Sequence, residues 1–161
     1  GELNADEHYY WGTNGDDWAT TFPSQVKVNA DLLARGEERY GIYCTPCHGI
    51  SGHGDGLVPR RTAVSDYGAW LVTDLSSEKG LAHPIGELFN IIGYGINTMP
   101  GYRSQIPVED RWAIVAHVKA LQFSQSVDVA EIPAEEKQRL ESMEKPSSSE
   151  DGSTATPEEG R

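Results

Sequence analysis

The two cysteines of the chain lie in the pentapeptide Cys44-Thr45-Pro46-Cys47-His48, and the sequence contains no other cysteine. Two thiols separated by two residues and followed directly by a histidine have the spacing of covalent c-type haem attachment. In that chemistry both thiols add to vinyl groups on one edge of the macrocycle, and the adjacent histidine is forced beneath the ring. The motif therefore predicts one covalent haem c on Cys44 and Cys47, with His48 as an axial iron ligand.

Two other interpretations of this motif are open. A thioredoxin-like redox pair has the same cysteine spacing, but it needs a βαβ context that the sequence does not show. A zinc knuckle needs further cysteine or histidine ligands at matched spacing. The remaining histidines are scattered along the chain: His8, His53, His83 and His117. We therefore favour haem attachment over both alternatives.

An iron that only transfers electrons needs a sixth ligand, and the chain offers two methionines. Met143 lies in the charged segment LESMEK, where nothing would bury it. Met99 lies in a loop between two predicted helices, well downstream of His48. A methionine in a loop is more often a core residue than a ligand, but the Pro-Gly that follows Met99 favours it as the second axial ligand. A thioether opposite a histidine raises the reduction potential, which suits electron transfer and not oxygen activation.

Composition and charge limit the class of protein. The apolar share of 37% is low for a packed domain of this length, unless the ends do not pack or a haem supplies core volume. The net charge of −12 argues against nucleic acid as a partner. No apolar run is long enough to span a membrane. Because thiols are coupled to haem outside the cytoplasm in most bacteria, we expect an extracytoplasmic protein, periplasmic or membrane-anchored facing the periplasm.

Three segments of the chain differ in character. Residues 1–25 mix aromatic residues with Gly, Asn and Asp, which predicts an extended N-terminal arm whose Trp11, Trp18 and Phe22 can dock on a body. Residues 26–130 carry the strong helical signals and form the predicted haem domain. Residues 131–161 are charged and rich in Ser, Pro and Gly, which predicts a largely disordered C-terminal tail with one possible short helix.

The periodicity of the central segment predicts an all-α fold, with three main helices and long loops around one haem. The first helix is predicted from about residue 29 to 43. The second is bracketed by Pro84 and Gly93, which suit a helix start and a helix stop. The third begins at Pro107 and has Lys119 in its last turn, where a cation complements the helix dipole.

The order of these motifs resembles class I cytochrome c over roughly residues 30–124. The shared features are Gly36-x-x-x-Tyr40 on a helix, CTPCH, a Gly-Asp-Gly turn at 54–56, Met99-Pro100 and a C-terminal helix. The resemblance implies the cytochrome c fold. The segments RGEERYGIYCTPCHG, GELFNIIGYGINTMPGY and IPVEDRWAIVAHVKALQ are also similar to the mono-haem cytochrome c subunit of bacterial alternative complex III, a quinol-oxidising complex. That subunit is typically a lipoprotein, which implies a lipid anchor upstream of this chain.

The resemblance also implies roles for single residues. Gly36 would let the first helix cross the last one closely, and Tyr40 would pack at the same crossing. The facing residue is usually aromatic, whereas His117 stands there in this sequence. Pro59 resembles the proline whose carbonyl accepts the Nδ1–H of the axial histidine. Tyr102 is expected to line the haem pocket or to donate to a haem propionate.

The favoured function is that of an electron carrier and not of an enzyme. It would pass single electrons from a quinol-oxidising complex toward a terminal oxidase, and its partners would be redox proteins such as a multi-haem cytochrome. A soluble or oxidase-linked cytochrome c carrier is the alternative, followed by a haem enzyme or gas sensor with an open iron site. Residues 1–130 contain only Lys27, Lys79 and Lys119 as lysines, so we expect docking by apolar contact or by permanent attachment to a complex.

Overall fold

The structure is a computed structural model that describes residues 6–66, 68–128, 130 and 132–144. Its helices are α1 (Glu7–Trp11), α2 (Ala30–Tyr43), α3 (Thr45–His48), α4 (Leu57–Ala63), α5 (Glu78–Leu81), α6 (Ile85–Tyr94), α7 (Val108–Ser126) and α8 (Ala134–Glu144). Its strands are β1 (Thr13–Asn14), β2 (Asp17–Trp18), β3 (Gly95–Ile96) and β4 (Met99–Pro100). The strands form two separate antiparallel hairpins, β1–β2 and β3–β4. Residues 1–126 are one compact unit, and residues 127–161 are a second.

The three main helices lie close to their predicted positions. The side chain of Asn29 caps α2 by accepting a hydrogen bond from the Leu32 amide at 2.9 Å, so this helix starts where polar capping is available. Helix α6 begins directly after Pro84. Helix α7 begins directly after Pro107 and carries acidic residues in its first turn. The all-α prediction is therefore confirmed, and the predicted long loops contain the additional short helices α4 and α5.

The prediction that Lys119 lies in the last turn of α7 was wrong, because this helix continues to Ser126. The Lys119 Nζ donates to the His83 carbonyl at 3.1 Å, which directs the side chain along the protein surface. One turn further on, the buried Gln122 donates to the carbonyls of Leu75 and Gly80 at 2.7 and 3.2 Å. These tertiary hydrogen bonds hold the extra turns of α7, and helix periodicity alone does not reveal them.

Helices α2 and α7 form the main interhelical contact of the first unit. Gly36 of α2 is buried against α7, where a Cβ atom would overlap the carbonyl oxygen of Ala113. The rings of Tyr40 and His117 meet at 5.0 Å beside this contact. At the start of α7, Asp110 accepts from Arg35 Nε at 2.8 Å and pairs with Arg39 at 3.2 Å. A glycine contact and a charged cluster therefore fix the crossing.

The core is built from α6 and α7, together with the loop that joins them. The Phe89 and Trp112 rings stack with centroids 4.1 Å apart, and both residues are fully buried. Ile106 packs in the same cluster. Burial of these large side chains is the main contribution of the protein's own residues to the stability of the fold.

The N-terminal segment differs from the predicted extended arm. It contains helix α1, capped by the Asp6 side chain, and the β1–β2 hairpin. The Trp112 indole donates to the Tyr9 carbonyl at 2.9 Å, and Phe22 packs edge-on against Trp112. Trp11 stacks on Tyr94 with ring centroids 6.0 Å apart. Polar capping and docking of aromatic residues give this segment local structure without a long periodic pattern.

Within the second unit, helix α8 occupies the place of the possible short helix. The rest of the predicted tail, residues 145–161, lies outside the described residues, and the three-part domain organisation stays a prediction. None of the helices in the described part of the chain is long and apolar enough to cross a bilayer.

The Gly36 contact leads to a stability prediction with an internal control on the same helix. Gly36→Ala should lower the free energy of unfolding by about 1–3 kcal/mol, since the new methyl group must push α7 away. The melting temperature of the haem-loaded protein should fall by roughly 2–12 °C. Gly41→Ala adds the same methyl group where no atom lies within 4 Å, and it should raise stability by up to about 1 kcal/mol. Equal effects of the two variants would contradict a close helix crossing.

Candidate haem site

The cysteine motif lies on one tight helical turn at the end of α2. Cys44 is the C-cap of α2, and its amide donates to the Tyr40 carbonyl at 2.8 Å. Pro46 lies in the first turn of α3, where its missing amide hydrogen costs nothing. The His48 amide donates to the Cys44 carbonyl at 2.8 Å. This turn brings both thiols and the imidazole into one short segment. Because the segment continues directly from α2, the position of α2 determines where it lies.

The loop after the motif folds back onto it. The Gly54 amide donates to the His48 carbonyl at 2.8 Å, and the Gly56 amide donates to the Cys47 carbonyl at 3.1 Å. The buried Tyr40 hydroxyl donates to the Gly49 carbonyl at 2.9 Å, and burial raises the pKa of this tyrosine above its ordinary value. The motif is therefore held on two sides, by α2 and by the returning loop.

The two thiols are free and half-buried. Burial raises the pKa of Cys44 to about 12, with a smaller contribution from Cys47, and burial also raises the pKa of Cys47. A thioredoxin-like pair shows the opposite behaviour, because its nucleophilic thiol has a lowered pKa. No cluster of three or more His, Cys, Asp or Glu side chains that could hold a metal ion occurs in the described ranges. The geometry therefore supports neither the redox-pair nor the zinc interpretation.

His48 presents a half-buried imidazole. Burial lowers its pKa, which favours the neutral ring, although a backbone hydrogen bond with Thr73 acts in the opposite direction. A neutral imidazole is the form that binds a metal. Its Nδ1 is buried and has no hydrogen-bond partner. Two free thiols directly beside this imidazole are the donor set that a covalently bound haem requires.

The predicted partner of that nitrogen is differently engaged in this structure. The carbonyl of Pro59, at the middle of α4, accepts a hydrogen bond from the Thr62 hydroxyl at 3.0 Å. The hydrogen bond from His48 Nδ1 to this carbonyl is thus not formed here, and it stays a prediction for the haem-bound protein. Thr73, whose backbone influences His48, was not singled out from the sequence, because no local pattern marks it.

Met99 is half-buried at the start of β4, in a hairpin with β3. Asn97 makes the turn possible by adopting a left-handed conformation with φ of 51°. The neighbouring Thr98 hydroxyl accepts a hydrogen bond from the Trp70 indole at 3.1 Å, which ties the hairpin to the long loop after α4. The turn that carries Met99 is thus held by a hydrogen bond from outside the hairpin. The role of Met99 as an axial ligand stays a prediction.

Tyr102 lies near the two thiols. Burial raises its pKa, and Cys47 and then Cys44 add to that shift. Its ring also packs edge-on against Tyr43, the last residue of α2, with centroids 6.2 Å apart. The structure thus brings Tyr102 close to Cys44 and Cys47, and its role in lining the haem pocket stays a prediction.

An all-α unit with a CxxCH turn at the end of its first long helix defines a c-type cytochrome domain. Residues 31–118, more than half of the chain, match the family described as "Cytochrome C oxidase, cbb3-type, subunit III", and the chain belongs to this family of cytochrome c domains. Membership implies covalent haem c and haem-based electron transfer. The prediction of a cytochrome c fold is therefore confirmed.

No curated protein matches the chain. One similar solved structure belongs to the "reducing HAO-like protein complex" of Kuenenia stuttgartiensis. It shares 20% sequence identity with a TM-score of 0.51, over 71% of this chain and 54% of that chain. This chain therefore spans about half the length of that neighbour, and the likeness concerns the fold alone.

The sequence motif predicts which residues would hold the haem. Cys44 and Cys47 would form the thioether bonds, and His48 and Met99 would be the iron ligands. The haem, when bound, supplies an iron that accepts and releases one electron. Backbone hydrogen bonds from α2 and from the returning loop would keep His48 in position for the iron.

Replacing Met99 tests its role as a ligand. In Met99→Leu, a side chain of similar bulk without sulfur should lower the reduction potential and let carbon monoxide bind the reduced iron. Absorption spectra with and without carbon monoxide, together with a redox titration, measure both effects. Met143→Leu is the matched control and should retain the wild-type spectrum and potential. A Met99→Leu protein that stays six-coordinate at an unchanged potential would show that another residue binds the iron.

Proposed function

We propose that this protein is a mono-haem electron carrier or subunit of a respiratory chain. In this role it takes single electrons from a quinol-oxidising complex and passes them toward a terminal oxidase. The observation that carries the proposal is the combination of the His48 turn with the braced hairpin of Met99. Each would provide one iron ligand, and a six-coordinate iron has no position for a substrate.

The charge distribution supports docking without a lysine ring. Lys119 is half-buried and donates to the His83 carbonyl, and burial lowers its pKa. Lys27 and Lys79 are then the exposed lysines among residues 6–128. A few scattered cations give little electrostatic steering toward an acidic partner.

Apolar side chains are exposed in the segments that follow the cysteine motif. Ile50, Leu57, Val64 and Leu71 are each at least 76% exposed. Exposed apolar side chains mark a ligand-binding or protein-binding region where they form a contiguous patch, and these four are the candidates for such a patch. These side chains supply surface for the haem and for a redox partner, which supports docking by apolar contact.

The particular complex rests on the sequence resemblance. Similarity to the mono-haem subunit of alternative complex III supports a partnership with a multi-haem cytochrome, on the periplasmic side of the membrane and with a lipid anchor upstream of residue 1. The description of the matched family as an oxidase subunit supports the second candidate, an oxidase-linked carrier. Purification of the native protein from membranes distinguishes them. A multi-haem cytochrome with an iron–sulfur subunit supports the first, whereas oxidase subunits support the second.

Carbon monoxide separates an electron carrier from a haem enzyme or gas sensor. If both axial positions are filled by protein ligands, the spectrum of the reduced wild-type protein should not change under carbon monoxide at neutral pH. The measurement is an absorption spectrum of the reduced protein before and after gas addition. Rapid, stoichiometric formation of a carbon monoxide complex would contradict the proposed carrier function.

Ionic strength tests the mode of docking. Screening acts over about 10 Å at 0.1 M salt, so a charge-steered encounter slows steeply as salt is added. We expect the rate of electron exchange with the physiological partner to change by less than about threefold between roughly 0.02 and 0.5 M salt. Stopped-flow kinetics across a salt series measure this rate. A steep fall would assign the encounter to charged residues and not to apolar contact.

A further inference from the structure

A pocket of about 390 Å³ lies between the N-terminal segment and the start of α7. We call it the arm pocket. Its apolar walls include Trp11 from α1 and Ile106 and Val108 from the chain around the start of α7. Two arginines, Arg103 and Arg111, also line it. Its volume falls in the range of pockets that bind small molecules.

Arg111 is only 3% exposed, although it carries a full charge. Its guanidinium forms no hydrogen bond or ion pair with any of the residues that the structure describes, and its Nε and Nη1 are buried without a partner. The Phe89 ring lies 4.4 Å from the guanidinium carbon, which gives a cation–π contact. That contact offsets part of the cost of burying a cation, but it satisfies none of the N–H donors.

The neighbouring backbone is shaped around this guanidinium. Gly93 of α6 lies against it, and a Cβ atom there would come within 2.7 Å of Arg111 Nη1. Because glycine leaves this space free, the guanidinium of Arg111 can lie against α6. The buried arginine therefore occupies a formed site and is not a surface side chain that has folded inward.

Arg103 adds a second positive charge to the same pocket. Its guanidinium lies over the rings of Trp11 and Tyr94, 5.3 Å from each centroid, and it forms no ion pair with a described carboxylate. Burial lowers the pKa of Arg111, and the charge of Arg103 contributes in the same direction. The nearby Glu109 accepts instead from the Tyr9 hydroxyl at 3.1 Å. The pocket thus holds two guanidinium groups that no described carboxylate pairs.

We propose that the arm pocket binds a small organic anion. Its phosphate or carboxylate group would lie between Arg103 and Arg111, and its apolar body would lie against Trp11 and Ile106. A guanidinium presents paired donors that match two oxygens of either group. Trp11 lies outside residues 31–118, so one wall of the pocket comes from a segment that the family match does not include. This inference is independent of the proposed electron-transfer function.

Ligand titration of the full-length, haem-loaded protein tests the site. The probes are phenyl phosphate and benzoate, which share a ring and differ in the charged group, with benzyl alcohol as the uncharged analogue. Two-dimensional ¹H–¹⁵N NMR follows the indole N–H of Trp11 and the arginine Nε–H signals. Both anions should shift these signals in a saturable manner, and the tighter one assigns phosphate or carboxylate as the preferred group. No saturable shift with either anion, or equal binding of benzyl alcohol, would overturn the proposal.

Two variants and one control locate the binding. Arg103→Gln removes the exposed cation, and Arg111→Lys keeps the charge but removes the planar pair of donors. Each should weaken binding of the preferred anion by about tenfold or more, which corresponds to about 1.4 kcal/mol. Lys27→Gln removes a cation that does not line the pocket and should change the affinity less than twofold. If Arg111→Lys does not fold, Arg103→Gln decides the question alone, and unchanged affinity in it overturns the proposal.

Discussion

The close crossing of α2 and α7 is the constraint on which the rest of the structure depends. Gly36 allows the two helices to touch at the Ala113 carbonyl, and the Tyr40–His117 ring contact continues the interface. Helix α2 ends in the cysteine motif, so the crossing determines where the thiols and His48 lie. The Tyr40 hydroxyl also donates a hydrogen bond to the Gly49 carbonyl, directly after the motif, and so links the crossing to the end of the motif. One interface therefore places both the core and the site.

The low apolar content of the sequence reflects where the large apolar side chains lie in the structure. Large apolar side chains are concentrated between α6 and α7, where Phe89 and Trp112 stack. Near the cysteine motif the chain instead has half-buried thiols and a buried His48 nitrogen without a partner. A haem bound covalently to these thiols would add apolar volume at this place. The composition and the site therefore reflect the same physical arrangement.

Local signals in the sequence were sufficient for the parts that local interactions determine. Helical periodicity placed α2, prolines at helix starts placed α6 and α7, and the CxxCH spacing by itself indicated the covalent chemistry. The end of α7 was missed, because the hydrogen bonds of Gln122 to distant carbonyls extend the helix. The structure of the N-terminal segment was missed because its docking on Trp112 depends on a residue about a hundred positions away. No local pattern in the sequence marks Arg111 as buried, and only packing reveals it.

The hairpin that carries Met99 shows how distant segments act on a ligand loop. From one side, the Trp70 indole holds Thr98, the residue directly before Met99. From the other side, Trp11 stacks on Tyr94, the residue directly before β3, and Arg103 lies over both rings. A hairpin with only two residues in each strand has little stability of its own in water, so these contacts hold it in place. The geometry of the candidate axial methionine therefore depends on the N-terminal segment and on the long loop, neither of which lies near it in the sequence.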